Sequence, residues 1–267
     1  MLRLAVLLLV AFMTLPTLVV IAVSFNPTAI LSFPPSGLSW RWYVNVITYT
    51  QFQRATWNSL VVTLGAVAVA MPAGTAAALA LARAPRGASL WATLLLSPLV
   101  VPGVAAGLGF LILGAALGLL RSRAVLIAAH VALVLPFVVR SVWVSARNLD
   151  PTLERAAASL GATPWRAFQR VTLPLLRPGL LAALLFAVIV SLNEFVVSLF
   201  ISTRLTEILP VAMFTYVVNY TDPTMAALST LFIAATFVAV LLADRVLDLS
   251  RVFQIAPPRG SRGDRAT

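Results

Sequence analysis

The sequence has no cysteine and no lysine; its 19 basic residues are all arginine, and His130 is its one histidine. Without cysteine there is no disulfide and no thiolate metal site, and cysteine usage gives no reading of redox compartment. A single histidine cannot build a multi-histidine metal centre within one chain. The missing lysine excludes a standard Walker A loop, whose lysine reaches the nucleotide phosphates. It also excludes a Schiff base on a lysine amine. Charge of either sign is scarce: 10% of the 267 residues are charged and eight are acidic.

Apolar residues fill the chain instead, at 61% hydrophobic, whereas a soluble domain is roughly half apolar and about a quarter charged. Both shifts suit a bilayer, where a charge at a helix centre costs roughly 2.5–3.5 kcal/mol on insertion scales. A span needs about 20 mostly apolar residues. Six stretches qualify: Leu4–Val23, Ser59–Ala82, Ser89–Leu119 (interrupted by Pro98 and Pro102), Ala124–Val144, Gly179–Ile201 and Thr224–Leu242. The fold class expected is an all-α polytopic membrane protein with six transmembrane helices in one membrane domain over 1–255. Residues 256–267, rich in Pro, Arg and Gly, are expected to be a disordered tail. The first apolar run exceeds the roughly 7–15 residues of a signal-peptide core, so it is expected to stay as a span.

The net charge of +11 lies between the apolar runs rather than on a polar domain, so no nucleic-acid partner is expected; the partner read from composition is the lipid bilayer. With the N-terminus inside, fourteen arginines fall in inside segments and five (Arg41, Arg54, Arg121, Arg123 and Arg204) in outside ones. The positive-inside rule then places both termini in the cytoplasm. The outside loop from Ser24 to Trp57 carries Trp40, Trp42 and Tyr43, expected to be interfacial anchors.

The inside loop 147–177 carries strong helix signals. Asp150-Pro151 reads as an N-cap followed by proline at the first helical position. Leu153, Ala156, Ala157 and Leu160 recur on one helical face, with Glu154 and Arg155 on the other side, and Gly161 is placed for a left-handed stop. Thr163-Pro164 opens a second short helix, and Leu173-Pro174 is expected to close the unit. An apolar helix face outside the membrane lies on the bilayer or docks in a protein groove. A face built mostly of alanine is a weak lipid anchor, which favours the groove.

Glu154-Arg155-Ala156-Ala157, then Gly161, then Val171-Thr172-Leu173-Pro174 resembles the EAA loop of binding-protein-dependent ABC permeases. Two positions depart: Arg155 stands where the motif is acidic, with Glu154 one residue earlier, and Val171 replaces isoleucine. The stretch Leu192 to Leu231, with Glu194-Phe195-Val196-Val197, Leu209-Pro210-Val211 and Asp222-Pro223, is similar to the second permease subunit of spermidine/putrescine-type importers. The resemblance runs from about Asn58 to Leu247, so the permease core is expected over roughly 57–248. It implies a type I ABC importer permease fold in the bacterial inner membrane, with a loop helix that fits a cytoplasmic ATPase subunit. It also implies that ATP and magnesium are bound by that partner and not by this chain, that a second permease subunit completes the pathway (a heterodimer favoured over a homodimer), and that a periplasmic binding protein delivers a small solute, polyamine-like by preference, with an aminophosphonate, an amino-acid derivative or ferric iron left open. On this reading the chain is not itself an enzyme, and Leu153, Glu154, Arg155, Ala156, Ala157, Leu160, Gly161, Leu173 and Pro174 form the coupling element.

In the fifth span Ser191, Glu194, Ser198 and Ser202 fall at steps of three and four, one polar stripe on a continuous helix, with Asn193 beside it. An acid inside a span faces a cavity or a partner rather than lipid. Ser191, Asn193, Glu194 and Ser198 are therefore the expected pathway residues, against a structural pairing of Glu194 with a sister subunit. Pro98 and Pro102 with Gly103, Gly107 and Gly109 mark the third span as kinked or broken, with static packing favoured over a pivot. His130 reads as a hydrogen-bonded packing residue rather than a proton relay. Asp244, Arg245, Asp248 and Arg251 are expected to form interfacial, surface-type pairs. A secondary transporter or channel driven by an ion gradient would carry inverted repeats and several intramembrane charges, and the sequence shows neither. An intramembrane Ser/His protease would need a nucleophile motif that is also missing.

Overall fold

The structure, a computed structural model, describes residues 2–83, 88–120 and 122–247. The expected tail, Arg86, Arg121, Asp248 and Arg251 lie outside the described residues, as do the side chains of Asp244 and Arg245. Twelve α-helices occur among the described residues: α1 (Leu2–Val23), α2 (Arg41–Thr48), α3 (Thr50–Arg83), α4 (Ala88–Leu96), α5 (Gly103–Ala116), α6 (Arg123–Arg147), α7 (Pro151–Ser159), α8 (Pro164–Ala167), α9 (Leu173–Asn193), α10 (Val196–Ile201), α11 (Leu209–Asn219) and α12 (Thr224–Leu247). No β-strand occurs among them.

Four helical stretches are each long and apolar enough to cross a bilayer: Arg3–Val23, Thr50–Arg83, Arg123–Arg147 and Pro164–Asn193. The third expected span is broken. α4 continues into a 3₁₀ turn at Ser97–Leu99, and α5 then leaves at 93°. Two prolines explain the corner, since each removes a backbone donor and clashes with the preceding turn. The sixth expected span corresponds to α12, whose apolar run covers Thr224–Val238. The described chain divides into two units between Leu231 and Phe232, within α12, and the bundle described below belongs to the first.

Helix α6 is the centre of that unit, packed between α3 and α9. Small residues make the close approach possible, as is usual between membrane helices. Ala70 and Ala78 of α3 and Ala183 and Ala187 of α9 are fully buried around Val134, Val138, Val139 and Val142 of α6. Gly74 marks a tight crossing of α3 and α6: a Cβ there would stand 2.6 Å from Val138 Cγ1. A second apolar cluster joins Val62, Leu126 and Ala129 to Val197, Ile201, Ile208 and Val211. α1 exposes its apolar side chains from Leu4 to Leu18, the pattern of a helix whose neighbours are lipid chains.

Two expectations are corrected. Leu173-Pro174 does not close the loop unit. α8 runs through a π-helical turn, Phe168–Thr172, straight into α9, and the Leu173 N–H bonds Phe168 O five residues back. The wider turn accommodates Pro174, which lacks the N–H that an α-helical ladder would require. Nor are Trp42 and Tyr43 interfacial anchors. Both are buried, Trp42 Nε1 donating to Asn26 O at 2.6 Å and Tyr43 Oη pairing with Ser24 Oγ at 2.6 Å. Of the three aromatic residues only Trp40, 67% exposed, is free to meet an interface.

Candidate functional site: a braced loop helix and a stapled span

The loop helix α7 is built as its residues dictate. Asp150 Oδ1 accepts the Thr152 N–H at 2.8 Å, with Pro151 at the first helical position. Those bonds hold the Asp150 carboxyl below its ordinary range. At the other end the Gly161 N–H bonds Ala158 O and the Ala162 N–H bonds Ala157 O. This is the paired pattern of a left-handed helix stop, and Gly161 has φ +82°. No residue of α7 is buried: Leu153 is 45% and Leu160 89% exposed, Arg155 and Ala156 are exposed, and Ala157 is half-buried.

Glu154 holds this exposed helix in place. Its Oε1 sits 2.8 Å from Arg83 Nη2 at the end of α3 and also accepts the hydroxyl of Thr172, in the π turn that leads into α9. One carboxylate thus ties α7 to two spans. The neighbouring Arg155 takes no part in this tie. The acid that makes the tie stands one residue before the position at which the EAA pattern is acidic. The sequence gives no sign that Arg83 and Thr172 are the partners of Glu154. Glu154 sits 71 and 18 residues from them, and no local pattern signals such partners.

The fifth span departs from the expected continuous stripe. Helix α9 ends at Asn193, Glu194 is extended, and α10 restarts at Val196. Glu194 turns its carboxylate back onto the new helix, accepting the Val197 N–H at 2.7 Å. That N–H is one of the orphan donors a helix start leaves open, so the Glu194 carboxylate is already engaged in a structural bond. Asn193 is exposed and donates to Ile189 O at 2.8 Å. Ser191 and Ser198 face inward and are buried, one on each side of the break.

His130 joins them. Its Nδ1 lies 2.8 Å from Ser191 Oγ and its Nε2 lies 3.0 Å from Ser198 Oγ. Ser191 Oγ also pairs with Thr63 Oγ1 of α3 at 2.9 Å. His130 is 1% exposed, so this chain of four side chains is a dry, satisfied network, the only economical way to hold polar groups inside a bundle. It fixes both halves of the broken span to α6 and α3. Ser191 and Ser198 are brought together as expected, but by His130 rather than along an open face.

At the far end of α3, about 50 Å from Arg83 at 1.5 Å per residue, lies a polar chamber of about 650 Å³. It is roofed by the loop between α10 and α11. Asn58, fully buried, pins that loop by donating to Leu205 O at 3.0 Å and Glu207 O at 2.9 Å, while its Oδ1 accepts Arg123 Nε at 2.8 Å. Ser59 Oγ accepts the Leu209 N–H at 2.8 Å. Glu207, 6% exposed, lines the chamber with Arg54, Arg204, Tyr49, Tyr216 and Tyr220. Burial pushes its carboxyl up, opposed by a bond from Gln51 and by the charges of Arg54 and Arg204. Among the described residues no group of three metal-binding side chains occurs.

No family model matches the chain. Sequence comparison finds relatives over nearly its whole length. It is 32% identical over 250 residues to the putrescine transport system permease protein PotI of Escherichia coli K12, covering 90% of this chain and 89% of that one. It is 28% identical over 242 residues to the spermidine/putrescine transport system permease protein PotC of Haemophilus influenzae, covering 88% and 92%. Among solved structures, a bacterial alginate ABC transporter in complex with an alginate pentasaccharide-bound periplasmic protein aligns with a TM-score of 0.72, covering 92% of this chain and 95% of that one at 17% identity. That likeness bears on the fold, and the likeness to PotI bears on descent. An all-helical membrane bundle with a braced EAA-type loop and this degree of identity belongs to the ABC importer permease family that includes the putrescine and spermidine/putrescine permease proteins.

Proposed function

We propose that this chain is one membrane-spanning half of an ATP-driven importer, with α7 as the element that couples it to an ATPase. The observation that carries the proposal is the state of α7: capped at both ends, braced through Glu154 to α3 and to the start of α9, yet exposing Leu153 and Leu160. A helix so firmly held, with its apolar side chains outward, is suited to transmit force from a protein groove. Nucleotide and magnesium then bind on the partner, since this chain has no lysine for a Walker A loop.

In this reading both termini and α7 face the cytoplasm, and the 650 Å³ chamber faces the periplasm, where a binding protein delivers a small solute. A second, non-identical permease subunit closes the pathway along Ser191, Asn193, Glu194 and Ser198. Closure of the ATPase pair pushes α7; Glu154 passes the displacement to α3 and α9, and the stapled fifth span moves with them. The names of the relatives favour a polyamine-like amine as cargo.

The test is co-purification. The chain is produced with its ATPase and sister permease, and Ala157→Glu and Leu160→Glu are compared with the parent. Both variants are expected to reach the membrane at parental abundance and to lose most of the ATPase on purification. Retention of the ATPase at parental stoichiometry in both variants refutes the docking role of α7.

A further inference from the structure

Helix α6 has two unlike faces. Val134, Val138 and Val142 are buried in the core it shares with α3 and α9. Leu133, Phe137, Arg140, Val144 and Arg147 recur at steps of four and three, a second stripe on the same helix. Arg140, Val144 and Arg147 are exposed, and Leu133 and Phe137 are half-buried. Phe137 stacks on Phe186 of α9 with centroids 6.4 Å apart, and the Arg147 guanidinium folds back over the Trp143 ring at 5.6 Å. Arg140 forms no ion pair among the described residues. It stands about 10 Å along the helix from Arg147 at 1.5 Å per residue, inside the expected span, where an uncompensated charge is costly. The helices around it offer no acid: α4, α5, α6 and α9 contain neither aspartate nor glutamate. Asp150 and Glu154, the next acids along the chain, are committed to the α7 cap and to the brace. The counter-charge of Arg140 therefore belongs to another molecule.

The other end of the stripe is apolar and hollow. Leu133 walls a recess of about 330 Å³ at the corner of the broken third span, lined also by Pro98, Val101, Phe110 and Leu113. Leu133 lies about 10 Å along the helix from Arg140, within the roughly 15 Å that is half of a bilayer's hydrocarbon thickness. Basic groups at one end and an apolar recess at the other form the outline of an amphiphile. A span of a sister subunit, about 10–12 Å across with its side chains, could cover such a face but could not enter the recess; a methylene chain can. We propose that this stripe of α6 and the adjoining recess bind one anionic phospholipid. Arg140 and Arg147 hold its phosphate-bearing headgroup, and an acyl chain runs past Phe137 into the recess. Forked arginine donors suit phosphate oxygens, and basic pockets between transmembrane helices bind acidic lipid headgroups. The site requires only that α6 spans the bilayer, not that α7 couples to an ATPase.

Photo-crosslinking tests it. The permease–ATPase complex is placed in phosphatidylcholine nanodiscs with a trace of phosphatidylglycerol or phosphatidylethanolamine that carries a diazirine at the tip of one acyl chain, and labelled peptides are mapped by mass spectrometry. The phosphatidylglycerol probe is expected to label the recess residues of α5 and α6 at least fivefold more than the phosphatidylethanolamine probe. Arg140→Gln should lower that excess at least threefold, with Arg140→Lys keeping part of it, while the phosphatidylethanolamine signal stays constant. If an Arg140 variant fails to assemble, competition on the parent replaces it: unlabelled phosphatidylglycerol should displace the probe, and neither phosphatidylethanolamine nor inorganic phosphate should. Equal labelling by the two probes, an excess indifferent to Arg140→Gln, or displacement by inorganic phosphate alone overturns the site. So does labelling by neither probe, the result expected if the sister permease covers this face.

Discussion

Arg83 and Glu154 form an ion pair at 2.8 Å between the last turn of α3 and the first turn of α7. Both side chains are substantially exposed, 59% and 39%. An exposed pair of this kind contributes only about 0–1 kcal/mol to stability, so its value lies elsewhere. Arg83→Ala is expected to leave membrane abundance within experimental error and to lower uptake several-fold. Glu154→Ala, which also frees Thr172, should lower it further, by tenfold or more. Uptake per permease molecule, quantified by immunoblot, distinguishes the outcomes, and unchanged transport in Glu154→Ala removes the brace from the mechanism.

The histidine staple makes the opposite prediction, an effect on stability. His130→Ala strands the Ser198 hydroxyl in the bundle and leaves Ser191 with Thr63 alone, at about 1–3 kcal/mol for a buried group left unpaired. The purified complex should melt several degrees lower, and Ser191→Ala with Ser198→Ala in the same background should recover part of the loss. An unaltered melting curve for His130→Ala contradicts the geometry.

Gly161 isolates a backbone effect. A Cβ there meets no atom within 4 Å, so bulk is not the obstacle; the φ of +82° is. Left-handed backbone costs an ordinary residue roughly 1–2 kcal/mol. Gly161→Ala is therefore expected to fray the end of α7 and weaken ATPase retention mildly, with Gly161→Val stronger. Gly161→Asn, which tolerates this conformation, should be near parental. The ATPase-to-permease ratio after purification checks the series.

Asn58 bonds two carbonyls of the chamber's roof loop and one guanidinium. Asn58→Ala should release residues 203–208, seen as faster proteolysis at Arg204, while α7 coupling is untouched. Equal cleavage rates in parent and variant would show that the loop is held by other bonds.

Sequence patterns reached as far as local chemistry reaches. Asp150, Pro151 and Gly161 announce a helix because capping is decided within four residues, and Pro98 with Pro102 announces a corner for the same reason. The break after Asn193 carries no such sign. Neither proline nor glycine is near it, and it exists because the Glu194 side chain captures a backbone donor that a continuous helix would have used. Helical spacing placed Ser191 and Ser198 on one face but could not name His130 as what they face, 61 and 68 residues away. Trp42 and Tyr43 misled because aromatic residues in a loop beside a span usually meet the interface; here Asn26 O and Ser24 offered buried partners. The short helices α2 and α11 are too brief for periodicity to separate from loop.

The staple also determines how a disturbance could travel. α6 runs without a break from Arg123 to Arg147, with His130 near its first end and its last residue three positions short of Asp150. This helix therefore holds both halves of the interrupted strut near one extremity, at His130, and leads directly into the capped lever at the other. A tilt of a few degrees about the tight crossing at Gly74 and Val138 would register at both extremities in opposite senses, so that the two membrane faces are geared rather than independent.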